Sequence, residues 1–155
     1  MTTTPTSTPE PSTLTPTLSS ADYCSAEVFD LERRTIFHHG WVYACHIDGI
    51  PAGSRRAFDI AGESVLLTRD TTGAVHAFAN VCRHRGSRIL DDERGSVGNL
   101  VCPYHHWTYG VDGSLRHADN QPTTFDRSRF GLKPVQVRSV GGLVFICLAD
   151  EPPAD

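Results

Sequence analysis

Several features that mark other classes of protein are missing from this chain of 155 residues. It has no block of Lys or Arg, and its formal net charge of −4 gives no electrostatic footprint for nucleic acid. No apolar run approaches the roughly 18 residues of a transmembrane helix, and the N-terminus lacks the basic and apolar regions of a signal peptide. We therefore predict no nucleic-acid partner, no membrane partner and a cytoplasmic location.

The sequence also lacks the signs of a disulfide framework. Its cysteines number five, an odd count in a chain with no export signal. Cys45 and Cys147 lie in apolar runs typical of strands, which favours core packing, and Cys24 has no metal-site spacing either. Cys82 and Cys102 differ, because each has a histidine within three residues. These two cysteines are the candidates for metal binding.

Composition divides the chain into four predicted parts. Residues 1–20 contain eight Thr, four Pro and four Ser and almost nothing to bury, so we predict a disordered tail there. Residues 21–40 form an N-terminal helix and approach, with Ser25 as N-cap and apolar residues at helical spacing over about 26–38. Residues 41–150 are the domain proper, and residues 151–155 are a tail or a truncated linker.

After Gly40, short strand-like runs are separated by tight turns. Asp112-Gly113 is a hairpin turn signal, and Gly141-Gly142 divides the last long apolar run in two. The chain has no Gly-rich phosphate loop, no nucleophile motif and no solenoid repeat. The predicted fold class is all-β, a small antiparallel sandwich or barrel preceded by one helix.

Two short motifs carry the chemistry. They are C-x-H and C-x2-H, seventeen residues apart, and they supply Cys82, His84, Cys102 and His105. Each motif holds one thiolate and one imidazole. Two matching loops can therefore present both sulfurs to one iron and both nitrogens to the other iron of a two-iron cluster. A tetrahedral zinc ion would accept the same four donors and remains an alternative.

These residues resemble the two ligand boxes of the Rieske family, and "CRHRG" and "CPYHHWTYGVDGSL" are similar to those of Rieske oxygenase α subunits. The approach "EVFDLERRTIFHHGWVY" is similar to the segment that precedes the Rieske domain in those subunits. The resemblance implies a Rieske-type fold with a two-loop metal-binding subdomain. It also implies a [2Fe-2S] cluster held by Cys82, His84, Cys102 and His105.

Departures from the respiratory branch of the family indicate a low reduction potential. The positions of the respiratory disulfide look to be Ser87 and Tyr104, and Trp107 stands where a Ser would bond a cluster sulfur. A missing hydrogen bond to sulfur leaves the reduced cluster less stabilised. We therefore expect a ferredoxin or a flavin reductase, not a quinol, as the electron donor.

Other residues near the ligand boxes have predicted supporting roles. Gly86 and Gly110 either let backbone amides approach sulfide or serve as plain turn residues. Arg83 and Arg85 either offset the cluster charge or are solvated. By resemblance, Tyr109 bonds a ligand sulfur, and we expect Trp107 to cover the cluster and pack at an interface. We do not expect the remaining histidines to bind metal.

The predicted function is electron transfer, at the domain where electrons enter a multicomponent oxygenase that hydroxylates or demethylates a small organic substrate. The resemblance implies a mononuclear Fe(II) in a separate catalytic domain, and nothing in this chain matches its two-His, one-carboxylate ligands. This chain alone is then catalytically incomplete, and its electron acceptor is the catalytic domain of the same or a neighbouring α subunit, in a homotrimer. The alternatives are a stand-alone Rieske-type ferredoxin and a zinc-stabilised interaction domain.

Overall fold

The computed structural model describes residues 17–91, 95–96 and 98–154. Its N-terminal part is helical, with α1 at Ser20–Cys24 and α2 at Ala26–Glu32. Ser25 separates the two helices in an extended conformation, and its hydroxyl accepts a hydrogen bond from the Val28 N–H. The helix predicted over 26–38 is present, but its last turn, Arg33–Phe37, winds as a π-helix. The predicted single helix is wrong in one respect, because Ser25 ends a separate short helix α1 before α2 begins.

Most of the tail predicted at residues 1–20 lies outside the described residues, and Ser20 already belongs to α1. The described residues then form ten strands. These are β1 Val42–His46, β2 Ser54–Ile60, β3 Glu63–Arg69, β4 Val75–Ala79, β5 Gly95–Ser96, β6 Leu100–Val101, β7 Thr108–Tyr109, β8 Leu115–His117, β9 Gln136–Val140 and β10 Leu143–Cys147.

The strands pair into three antiparallel sheets, with orders β1-β10-β9, β4-β3-β2-β5 and β6-β7-β8. The first and last strands are neighbours in the same sheet, so the two ends of the domain meet. The predicted all-β antiparallel class is confirmed. Strand β5 and the 3₁₀ segments Ile47–Gly49 and Arg127–Phe130 were not predicted, because such short elements carry too little hydrophobic periodicity.

Two hydrophobic cores share strand β3. Val65 and Leu67 of β3 face one core, and Leu66 faces the other, as the period of two in a strand requires. The first core contains Cys45, Ile50, Val65, Leu67, Ala77, Val144 and Ile146. The second core lies under the two candidate ligand loops and contains Leu66, Phe78, Cys82, Ile89, Leu100, Cys102, Trp107, Tyr109, Leu115, Ala118 and Leu132.

Both predicted hairpin turns are present. Gly141 and Gly142 have φ of 55° and 83° and join β9 to β10 through the pair Val140 and Leu143. Gly113 has φ of 76° in the turn between β7 and β8, and a Cβ there would come within 2.4 Å of the Phe78 ring. Among the described residues, no helix is both long enough and apolar enough to cross a membrane.

Candidate metal centre

Two loops of the same backbone design carry the candidate ligands. In the first loop, the Cys82 N–H donates to the Ser87 carbonyl at 2.8 Å and the Gly86 N–H donates to the Cys82 carbonyl at 3.0 Å. In the second loop, the Cys102 N–H donates to the Trp107 carbonyl at 2.9 Å. The His106 N–H then donates to the Cys102 carbonyl at 3.0 Å. Both loops therefore fold back on the cysteine at the same offsets of five and four residues.

The fourth residue after each cysteine is left-handed in both loops. Gly86 has φ of 73° and His106 has φ of 55°. Glycine adopts this conformation without strain, whereas a histidine is uncommon there. The sequence predicted a turn at Gly86 but not at His106, because glycine is the residue type that indicates a left-handed turn.

The two candidate thiols are buried next to each other. Cys82 is 2% exposed and Cys102 is 1% exposed, and neither forms a disulfide. Burial raises the pKa of the Cys82 thiol, the Tyr109 hydroxyl acts in the lowering direction, and the neighbouring Cys102 raises the pKa further. A bare thiolate is unfavourable in this position, and a metal cation bound to the sulfur would remove the penalty.

The two candidate imidazoles also lie together. The ring centroids of His84 and His105 are 4.7 Å apart. His84 stacks on Trp107 at 4.8 Å with the ring planes 6° apart, and Tyr104 packs on His105 at 3.8 Å. Burial lowers the pKa of His105, and the charges of His84, Arg85 and His106 act in the same direction. Burial and the neighbouring positive charges both favour the neutral imidazole of His105, which is the form that binds metals.

The four side chains fit a two-iron centre. The sulfurs form one pair and the imidazoles form another, and the buried Nδ1 of His84 has no hydrogen-bond partner among the described residues. A buried polar atom without a partner is costly unless a ligand binds it. No three His, Cys, Asp or Glu side chains of the described part of the chain converge on one point. A cluster in which each iron takes two protein ligands does not require such a convergence.

Tyr109 completes the sulfur side of the centre. Its side chain is fully buried, its hydroxyl accepts the Arg83 N–H at 3.0 Å, and it lies 3.2 Å from the Cys82 sulfur. Burial, together with the nearby Cys82, raises the pKa of Tyr109 far above its usual range, so the hydroxyl keeps its proton. Because the oxygen already accepts from Arg83, its hydrogen is free to point at the sulfur.

Asn80 is a supporting residue that sequence reasoning missed. It is fully buried, and its amide nitrogen donates to the Leu90 carbonyl at 2.6 Å and to the Ser64 hydroxyl at 3.1 Å. Its amide oxygen accepts the backbone N–H groups of Ile89 and Leu90 at 3.2 and 3.0 Å. The side chain thus ties the end of the first ligand loop to strand β3. The only signal in the sequence is a polar residue at the end of an apolar strand.

The other residues singled out in the sequence occupy different positions. Gly110 lies in the β7–β8 turn, where a Cβ would come within 2.5 Å of the Asp112 carboxylate, so its role is that of a turn residue. Trp107 is 3% exposed and packs edge-on against Phe125 and Phe130, so it belongs to the core beneath the loops. Arg83 and Arg85 are exposed.

The remaining histidines have partners or exposure of their own. His38 contacts the Ala61 carbonyl, His76 contacts Asp70 and His117 contacts Asp119. His46 forms an ion-pair contact with Asp48, and His39 and His106 are exposed. Of these six described histidines, only His106 lies next to a candidate ligand, and it does so because it follows His105 in the chain.

Paired loops of this kind on a small antiparallel fold define an all-β metal-binding domain with mixed sulfur and nitrogen donors. Residues 40–138 match the Rieske [2Fe-2S] domain family, and the chain belongs to that family. Its cofactor is accordingly a Rieske-type [2Fe-2S] cluster.

Known relatives extend well beyond this chain. The glycine betaine monooxygenase oxygenase subunit of Pseudomonas aeruginosa (strain UCBPP-PA14) is 47% identical over 134 residues, which are 85% of this chain and 31% of the relative. The apo crystal structure of the quaternary ammonium Rieske monooxygenase CntA is 30% identical with a TM-score of 0.77, over 86% of this chain and 40% of that one. Naphthalene 1,2-dioxygenase from Rhodococcus sp., bound to indole, gives 33% identity and a TM-score of 0.80, over 86% of this chain and 32% of that one. This chain thus spans about a third of the length of the curated relative.

Proposed function

We propose that the chain transfers electrons through a [2Fe-2S] cluster held by Cys82, His84, Cys102 and His105. The observation that carries this assignment is the pairing of two loops with the same backbone hydrogen bonds, with the thiols buried together and the imidazole rings 4.7 Å apart. When bound, a cluster of this kind accepts and releases one electron at a time. The protein's own contribution is to hold the four donors and to control their surroundings.

The residues around the donors have distinct tasks. The Tyr109 hydroxyl, 3.2 Å from the Cys82 sulfur, donates a hydrogen bond that favours the thiolate. Trp107 holds the His84 ring by stacking and excludes water from the buried side of the site. On the outer side, His105 is partly exposed beside the exposed Tyr104, so this edge is the shortest protein path to an acceptor.

The oxygenase context supports a role as the domain at which electrons enter a larger enzyme. We propose that the whole protein is the α subunit of a multicomponent Rieske oxygenase. Its mononuclear iron, held by two His and one carboxylate, would lie in a catalytic domain outside these 155 residues. The donor would be a ferredoxin or a flavin reductase. The acceptor would be a catalytic domain of the same or a neighbouring α subunit in a homotrimer.

The similarities favour a monooxygenase acting on a quaternary ammonium compound. In the same comparison of sequences, identity is 47% to the glycine betaine monooxygenase subunit and 33% to the large oxygenase component of the naphthalene 1,2-dioxygenase system of Pseudomonas aeruginosa. The test is oxygen-dependent consumption of glycine betaine by the full-length oxygenase with its reductase. Consumption of naphthalene but not of glycine betaine would contradict this substrate class.

The cluster assignment itself is tested by EPR spectroscopy of the anaerobically reconstituted, dithionite-reduced chain. We expect a rhombic signal with the low average g value of a two-iron cluster with nitrogen ligands. His105→Cys should keep a cluster, raise the average g value and lower the potential, because a thiolate adds negative charge to the centre. Zinc without iron or sulfide would instead support the zinc-stabilised domain, and a higher potential in His105→Cys would contradict the ligand assignment.

A further inference from the structure

Two grooves of different charge open beside the candidate ligands. The groove next to the imidazoles has a volume of about 430 Å³, and Asp119 is the acidic residue in its lining. The groove next to Cys82, which we call the cysteine groove, has a volume of about 420 Å³ and is lined by Ala79, Val81, Cys82, Arg83, Gly86 and Lys133. Its two charged residues are both cationic. The two sides of the centre are therefore electrostatically distinct.

Part of the positive charge around the cysteine groove has no acidic partner among the described residues. Residues 71–90 contain three Arg and no Asp or Glu, although the whole chain has 18 acidic and 14 basic residues. Of the three, Arg88 forms an ion pair with Asp59 at 3.2 Å. The exposed guanidinium groups of Arg83 and Arg85 have no ion pair or hydrogen bond within the part of the chain that the structure describes. Lys133 forms an ion pair with Asp150 at 3.6 Å, and its side chain remains 63% exposed.

The cysteine groove also offers close access and apolar contact. Cys82 itself lines the groove, so little protein separates a docked partner from the candidate ligand sulfur. Val81 in the same lining is 44% exposed and so offers an apolar contact to a partner. An apolar centre flanked by charged residues is the usual composition of a transient protein interface.

We propose that the cysteine groove is the docking site of an acidic electron-transfer protein, with Arg83 and Lys133 binding its carboxylates and Val81 in apolar contact. This inference rests on the proposed function. In the transfer the reduced partner loses one electron and the oxidised cluster gains it, and no bond is made or broken. A chain of net charge −4 repels an acidic partner over most of its surface, so the local cations orient the encounter.

A cross-linking experiment tests where the partner docks. Lys133 is the only lysine of the chain, so a carbodiimide, which couples amines to carboxylates, finds one side-chain amine here to join to a carboxylate of the partner. The probe is an oxidised plant-type [2Fe-2S] ferredoxin, which is strongly acidic, mixed with the reconstituted chain. We expect a one-to-one product joined at Lys133 that disappears at about 500 mM salt, where screening is nearly complete. A product joined only through the N-terminal amine, or only through a carboxylate of this chain, would overturn the proposal.

Electron-transfer kinetics test the role of the two cations. The rate constant for reduction of the chain by the reduced ferredoxin should fall as salt rises from about 10 to about 500 mM. At low salt, Arg83→Gln with Lys133→Gln should lower it about tenfold. Arg34→Gln removes one positive charge, half of that removed in the double variant, from an exposed position on the N-terminal π-helical turn, and we expect less than about a twofold change. An equal loss in Arg34→Gln, or a rate independent of salt, would overturn the proposal.

Two further readouts separate docking from other effects. Reduction by methyl viologen, a small cation, should not slow in Lys133→Gln, and film voltammetry of that variant should give a potential close to that of the unsubstituted chain. Arg83→Gln could lose its cluster, whereas Lys133→Gln alone leaves the ligand loops unchanged. If the ferredoxin reduces Lys133→Gln at the same rate as the unsubstituted chain, the proposal is overturned. A normal EPR signal with salt-independent reduction contradicts the docking site alone. The absence of that signal in the unsubstituted chain contradicts the proposed function and the docking site together.

Discussion

Single side chains control the surroundings of the candidate sulfur ligands. Tyr109 is fully buried and places its hydroxyl 3.2 Å from the Cys82 sulfur. Burial disfavours negative charge on that sulfur, and a hydrogen bond compensates part of the penalty. Since the reduced cluster carries more negative charge than the oxidised one, the same hydrogen bond should favour reduction.

Tyr109→Phe should therefore lower the reduction potential while the cluster stays bound. We expect a decrease of about 60 mV, the one-electron equivalent of the roughly 1.4 kcal/mol contributed by a hydrogen bond to a charged group. The measurement is film voltammetry on the reconstituted chain, with Tyr43→Phe, which changes an exposed tyrosine, as control. An unchanged potential would show that the hydroxyl does not donate to the sulfur.

At the scale of elements, the ligand loops depend on contacts with the strands beneath them. Both loops fold back through the same hydrogen bonds, and the first returns to the sheet through Asn80. Of the residues whose backbone groups Asn80 binds, Ile89 is buried and Leu90 is half-buried. The precision of the site is therefore set by a residue that binds no metal.

Asn80→Ala should destabilise the chain by about 3 kcal/mol, because it removes several hydrogen bonds and leaves buried backbone groups unpaired. Urea unfolding of the cluster-free chain, followed by tryptophan fluorescence, measures the change. Asn99→Ala at an exposed position is the control and should change the free energy of unfolding by less than about 0.5 kcal/mol. Equal effects of the two substitutions would contradict this role of Asn80.

Two glycines with left-handed backbone conformation, one in the first ligand loop and one in the β7–β8 turn, should differ in the cost of substitution by alanine. Gly86 and Gly113 have nearly the same φ, 73° and 76°, but a Cβ at Gly113 would come within 2.4 Å of the Phe78 ring. At Gly86 nothing lies within 4 Å of that Cβ. We expect Gly86→Ala to cost about 1 kcal/mol from the backbone alone, and Gly113→Ala about 3 kcal/mol. The same urea assay distinguishes them, and equal costs would mean that Phe78 moves freely.

At the scale of the whole molecule, carboxylates in turns and helix ends make stability depend on pH. In each case the largest cause of a lowered pKa is a side-chain hydrogen bond, and the groups are Glu27, Asp30, Asp70, Asp112 and Asp126. The largest shift is at Asp70, where hydrogen bonds led by that from Thr72 lower the pKa to about 2. Asp70 also accepts the backbone N–H of Ala74 in the β3–β4 turn.

A lowered pKa in the folded state stabilises the fold above the ordinary pKa and loses that effect as pH falls. The melting temperature of the cluster-free chain should therefore fall steadily between about pH 4 and pH 2, where the carboxylates take up protons. Asp70→Asn should make this fall shallower, since it removes the group with the largest shift. Circular dichroism from pH 2 to 6 measures both chains. An equally steep fall in Asp70→Asn would show that other groups dominate.

Much of the architecture could be predicted from local patterns. The strand runs, the capped helix after Ser25 and the two hairpin turns each depend on residues that are close in sequence. The bounds of the short elements could not be predicted, because β5 and β6 have two residues each and β5 owes its pairing to the distant strand β2. The π-helical turn at Arg33–Phe37 likewise has no distinct sequence signal.

The sequence by itself determined the class of the centre, because one Cys and one His in each of two motifs are informative from spacing alone. Only the tertiary structure decided how the centre is supported and approached. Four features depend on residues that are distant in sequence or on conformations that local patterns do not reveal. They are the left-handed conformation of His106, the hydrogen bonds of Asn80, the burial of both thiols and the position of Arg83 and Lys133 in one groove. The physical reason is that ligand identity follows from the chemistry of individual side chains, whereas burial and electrostatic fields depend on the packing of the whole chain.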